Sequence, residues 1–180
     1  MSGSPFLRPL NAWYLRGKVV HGHGRGGTQL GFPTANLELD AATIQSLKKY
    51  SNLVLVGWGC VEGLPDRKGG PFPFAMSVGK NPHFKDVELT AEVYFIHKFE
   101  SDFYGAQVRI LCLGATREQA AFTTLEDLIK TIEGDVRDAE RILALEEYAA
   151  CANDSFVQPL TVLTDELNVS PYYRELSASH

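Results

Sequence analysis

Between residues 53 and 62 bulky and small side chains alternate: Val54, Val56, Trp58 and Cys60 fall on one face of an extended segment, and Leu55, Gly57 and Gly59 on the other. Four further runs, at 17–21, 73–79, 88–98 and 104–113, read as strands, and the Gly- and Pro-rich stretches 63–66 and 69–73 break the chain between them. Short strands separated by turns predict an antiparallel sheet or barrel rather than alternating βαβ units. After Gly114 the period changes. Thr123 and Glu126 match a capping box, and Leu125, Leu128, Ile129 and Ile132 recur at i, i+3, i+4 and i+7, which predicts an amphipathic helix ending at Gly134. Asp135 is placed to cap a second helix through about residue 148. Phe156, Leu160, Leu163 and Leu167 predict a short third helix that stops before Pro171. The expected organisation is one domain over 1–180, with a barrel at about 14–115 and a helical part at about 123–170.

Composition narrows the class. The 180 residues are 44% hydrophobic and 22% charged, which suits a folded globular chain. No apolar run approaches the roughly 20 residues that cross a bilayer, so no membrane association is expected. Cys60, Cys112 and Cys151 are odd in number and widely spaced, which argues against disulfides or a zinc cluster and for a cytoplasmic setting. A net charge of −5 argues against nucleic-acid binding. Residues 1–37 nevertheless carry Arg8, Arg16, Lys18 and Arg25 and no acid, so an anionic ligand is steered toward the N-terminal segment.

That segment holds the densest signal. Gly22, Gly24 and Gly27 satisfy G-x-G-x-x-G, but Gly31 and Pro33 follow at once and no helical period opens there, which excludes a Rossmann turn. No Gly-Lys-Ser or Gly-Lys-Thr ends the run, so it is not a Walker loop either. Backbone without Cβ atoms can still bring several N–H groups up to phosphate oxygens. Pro33 favours an extended continuation in which Thr34 and Asn36 project their oxygens to the same side, a donor pair suited to Mg²⁺.

The string G-x-G-R-G-x-x-x-L-G-x-P-T-A-N over 22–36 resembles the signature of the riboflavin kinase family, with every fixed position filled. Asn81, Pro82, His83, Phe84, Glu92, His97, Phe99 and residues 102–105 resemble that family's second block, and Arg117, Phe122, 125–129 and 134–135 its third. The resemblance implies a six-stranded antiparallel Greek-key β-barrel with C-terminal α-helices packed beside it. It implies a kinase that moves the γ-phosphate of ATP to the 5′-hydroxyl of riboflavin, giving FMN and ADP with a divalent metal, Mg²⁺ or else Zn²⁺ or Mn²⁺. Carried over by position, Glu92 is the catalytic base, and Gly22, Thr28, Thr34, Asn36, His97, Phe103 and Tyr104 hold ATP. Thr34 and Asn36 meet the metal, while Lys85, Glu88, Thr90, Ile110, Leu113 and Arg117 bind the flavin. Many relatives have a lysine at Thr28, and here His23 or Arg25 would supply the charge. Residues 52–57 also depart from the family's usual string.

His21 and His23 alternate as on a strand but have no third metal ligand nearby. The aromatic residues Phe103 and Tyr104, and the apolar Ile110 and Leu113, would serve a core as well as a site. A flavin- or nucleotide-binding barrel without chemistry is the alternative, and the joint presence of Thr34, Asn36 and Glu92 speaks against it. Small-molecule substrates and a monomer are expected.

Overall fold

The structure is a computed structural model that describes residues 4–21, 34–65, 68–80 and 88–177. Among the described residues there are seven strands, β1 (Trp13–Val20), β2 (Ala35–Leu37), β3 (Leu53–Val61), β4 (Phe72–Lys80), β5 (Leu89–Phe95), β6 (Gln107–Glu118) and β7 (Tyr172–Glu175). Every pairing is antiparallel, in the order β2-β5-β4-β3-β6-β1-β7 with a further β2–β1 pairing. That last pairing closes six strands into a barrel, and β7 adds to the free half of β1. Strands β3, β4 and β5 run as a meander with β2 returning beside β5, which is the Greek-key order.

The side-chain alternation of β3 explains why this strand is buried on both faces. Leu55 points into the barrel with Trp13, Leu15, Phe74, Met76 and Ile110. Val56 and Trp58 point outward, under Ala139, Leu143 and Tyr148. Gly57 is required on the inner side: a Cβ there would stand 2.0 Å from the Leu111 carbonyl oxygen, beside the register shift between β3 and β6. Cys60 and Cys112 are buried and free, and burial pushes the Cys60 thiol up to about 12.

Helix α1 (Ala41–Leu47) follows β2 and is capped by Asp40, whose carboxylate accepts from Thr43 N at 2.8 Å. It went unforeseen because its seven residues show too short an apolar period. Helix α2 (Leu125–Leu143) corrects two expectations. Its cap is Thr124, one residue beyond the expected Thr123, and Thr124 Oγ1 accepts from Asp127 N at 3.0 Å. The helix also runs through Gly134, because an interior glycine costs only ~1 kcal/mol against alanine and does not end a helix. Asp135 caps nothing; its carboxylate turns to Arg117 instead. The core-facing residues of α2 are Ala139, Ile142 and Leu143, while Leu125, expected on the apolar face, is 61% exposed.

After the short α3 (Glu146–Ala149) the expected third α-helix is replaced by irregular chain and β7. Phe156, Leu163 and Leu167 still pack against the cluster around Leu111 and Val157, without a helix, and Leu160 is 62% exposed. The segment is held by arginines. Arg109 donates to the Gln158 and Thr161 carbonyls at 2.9 and 3.1 Å, and Arg16 to the Val169 carbonyl at 3.0 Å. Both guanidiniums converge on Glu62. Arg16, counted above as steering anions, is thereby buried and paired with a carboxylate.

Candidate active site

Strand β2 is short, yet it sets the site. Ala35 and Leu37 turn into the core, each 5% exposed, so Thr34 and Asn36 must turn outward. On β5, Leu89, Ala91, Val93 and Phe95 are buried and Thr90, Glu92 and Tyr94 are half-buried on the outer face. The ladder pairs Asn36 with Glu92 on one side of β5 and Ser77 with Glu92 on the other. The same row continues through Val54 to Arg117. At about 4.8 Å per strand, Arg117 lies three strands, about 14 Å along the sheet, from Glu92.

A cleft of about 1030 Å³ opens beside this row, lined among others by Val19, Thr34, Tyr94, His97, Phe103 and Tyr104. Aromatic rings build its wall. His97 stacks on Phe72 with centroids 4.1 Å apart and meets Phe99 edge-on, and Phe99 packs against Phe103 at 4.7 Å. At the cleft, Tyr104 is covered by His21, 3.7 Å away and nearly parallel. His21, weighed above as a metal ligand, is thus an aromatic neighbour of the cleft. Among the described residues no three His, Cys, Asp or Glu side chains form a metal cluster.

Four of the residues expected around ATP, namely Thr34, His97, Phe103 and Tyr104, therefore share one cleft, and Asn36 and Glu92 are one step from it in the ladder. Gly22, Thr28 and Lys85, together with His23 and Arg25, lie outside the described residues. The residues expected around the flavin divide. Glu88, just before β5, is exposed and Thr90, on β5 ahead of Glu92, is half-buried, whereas β5 lines the cleft only from Val93 onward. Thr90 Oγ1 donates to the Gly79 carbonyl at 3.3 Å. Arg117 makes a forked pair with Asp135, Nε to Oδ1 at 2.7 Å and Nη2 to Oδ2 at 2.8 Å, and so anchors α2 to β6. Leu113 packs among Trp58, Phe156 and Tyr148 under the C-terminal segment. Ile110 is fully buried in the barrel core. Ser77, Gln119 and the Arg117–Asp135 pair were not foreseen; the strand alternation of 73–79 could have put Ser77 on the outer face, but the Gln119 and Asp135 contacts depend on tertiary pairing.

A family model described as riboflavin kinase matches residues 10–143. The chain belongs to the riboflavin kinase family. A mouse riboflavin kinase is 35% identical over 147 residues, 81% of this chain and 90% of its own length. A bifunctional riboflavin kinase/FMN phosphatase from Arabidopsis thaliana is 38% identical over 149 residues, and there the match covers 83% of this chain but only 38% of the relative. The crystal structure of riboflavin kinase from Trypanosoma brucei superposes with a TM-score of 0.74 at 37% identity, covering 93% of this chain and 99% of that one. The barrel with helices beside it is thus the riboflavin kinase architecture, and the kinase reading stands above the non-catalytic one. Among the described residues no helix is long and apolar enough to cross a membrane.

Proposed function

We propose that the chain phosphorylates the 5′-hydroxyl of riboflavin with ATP, giving FMN and ADP, at the row that joins Asn36 to Glu92. The observation that supports this most is their direct opposition across the β2–β5 ladder at the border of an aromatic cleft. Phosphoryl transfer needs alignment, charge neutralisation and one group to take the attacking proton. Thr34 and Asn36 offer two neutral oxygens on one side of the strand, a donor set that fits a divalent cation held mainly by water and phosphate. When bound, that cation, which we take to be Mg²⁺, neutralises charge on the phosphate oxygens.

The protein's own residues do the rest. The rings of His97, Phe103 and Tyr104 offer apolar faces to a purine and keep water from one side of the cleft. Glu92 stands between the cleft and Thr90 and Glu88, so a flavin over that second side brings its ribityl end to Glu92. Glu92 takes the proton of the 5′-hydroxyl as that oxygen attacks the γ-phosphorus. Arg117 and Lys85 complete the flavin side, and Gly22 and Thr28 the phosphate side. We extend the reading to a monomeric enzyme of the cytoplasm folded as one domain; the buried thiols Cys60 and Cys112 suit a reducing compartment. Incubation with riboflavin, ATP and Mg²⁺, followed by chromatography, should yield FMN and ADP in equal amounts. Absence of FMN, or FMN formed without ATP, would overturn the proposal.

A further inference from the structure

Glu92 has a hydroxyl on the side away from Asn36. Ser77 of β4 stands directly opposite it in the β4–β5 ladder. Met76 and Val78, the neighbours of Ser77 in sequence, are core residues at 1% and 0% exposure, which fixes the Ser77 side chain on the outer face with Glu92. Directly opposed Cβ atoms in an antiparallel ladder are about 4.5–5.5 Å apart, within reach of a serine hydroxyl and a glutamate carboxylate.

The Ser77 hydroxyl is also oriented from behind. Gln119 Nε2 donates to Ser77 Oγ at 2.7 Å and to the Val78 carbonyl at 3.0 Å. A carbonyl only accepts, so the atom facing Val78 must be the amide nitrogen, and both its hydrogens are committed. Ser77 Oγ is therefore an acceptor toward Gln119, and its own hydrogen is left to point elsewhere. Gln119 is held in turn by its backbone N–H on the Asn52 carbonyl at 2.8 Å, and Asn52 N–H by the Val78 carbonyl at 2.8 Å. Asn52 takes the left-handed conformation, φ 66°, that makes this corner.

We propose that Ser77 is a positioning residue for Glu92: Gln119 fixes the hydroxyl so that it donates to the Glu92 carboxylate and holds it in the rotamer that meets the substrate hydroxyl. The inference rests on Glu92 being the base. A misplaced base slows the chemical step without loosening either substrate, so the effect belongs in kcat and not in KM.

The test is steady-state and single-turnover FMN formation by Ser77→Ala, Ser77→Thr, Gln119→Leu and Glu92→Gln, with unfolding midpoints for each. Loss of one hydrogen bond to a charged group predicts a kcat about tenfold lower for Ser77→Ala, with both KM values within about twofold of wild type. Ser77→Thr, which keeps the hydroxyl, should restore most of the rate. Gln119→Leu should lower kcat in the same sense, and it carries the test if Ser77→Ala fails to fold. An unchanged kcat in Ser77→Ala or Gln119→Leu, a loss confined to KM, or no rescue by Ser77→Thr would overturn the assignment. If Glu92→Gln is impaired while Ser77→Ala is not, only the positioning role falls; if Glu92→Gln works at the wild-type rate, the base and its positioning residue fall together.

Discussion

Asn36 and Glu92 face each other across an antiparallel pair in which β2 contributes only three residues, Ala35–Leu37. So short a strand could slip, but a shift of one residue would expose Ala35 and Leu37, each 5% exposed, and bury Asn36. The hydrophobic register thus fixes which residue of β2 stands opposite Glu92.

Thr34 is exposed, and its replacement by valine should leave stability within about 0.5 kcal/mol of wild type. If Thr34 and Asn36 hold the metal, Thr34→Val should raise the Mg²⁺ concentration for half-maximal FMN formation by at least ~10-fold. A Mg²⁺ titration coincident with wild type would remove Thr34 from the metal site.

Arg117 and Asp135 tie β6 to α2 through two short charged hydrogen bonds, with Asp135 9% exposed. Asp135→Ala leaves the guanidinium without its partner and should lower stability by about 2–3 kcal/mol. If Arg117 belongs to the flavin site as proposed, KM for riboflavin should also rise more than KM for ATP. Urea unfolding and the two KM values check both parts, and an equal rise in both KM values would separate this pair from the flavin site.

Glu62 carries a pH signature. Burial pushes its carboxyl up, but the hydrogen bonds and charges of Arg16 and Arg109 outweigh this and hold it below the ordinary 4.5. Because the folded-state value is depressed, the stabilisation is fully present above the unfolded value of 4.5 and is lost as pH falls through the folded one. Glu62→Gln leaves two arginines together, at 7% and 4% exposure, and should cost about 3 kcal/mol near neutrality. The gap in urea midpoint between wild type and variant should hold steady above about pH 5 and close in acid. The carbonyls of Gln158, Thr161 and Val169 would lose their anchor, so limited proteolysis should cut the variant first within 158–169.

The barrel strands were legible because their signal is local: alternation at 53–62 and 73–79 survives to within a residue in β3 and β4. Helix α2 was legible in place but not in extent, since Gly134 looks like a stop only when the Asp135–Arg117 pair is unseen. The C-terminal segment misled for the converse reason. Its leucines fall at helical spacing, yet carbonyls there are claimed by Arg16 and Arg109, from strands more than 40 residues away in sequence. Thr34, Asn36 and Glu92 were singled out because a family resemblance added to what their residue types suggest, whereas for Ile110 a core isoleucine and a pocket wall look alike in one dimension, and the structure sets it in the barrel core. Ser77 and Gln119 meet only because β3 pairs with both β4 and β6, which no local pattern announces.

Glu92→Gln keeps the size and outward setting of the side chain on β5 and removes only its capacity to take a proton. The most direct measurement is single-turnover FMN formation by this variant at saturating riboflavin and Mg-ATP, with ADP and riboflavin binding measured beside it. With Glu92 as the base, the rate falls about 10²–10⁴-fold while both dissociation constants stay within about threefold of wild type. FMN formed at the wild-type rate, or a loss explained by weakened binding, would contradict it.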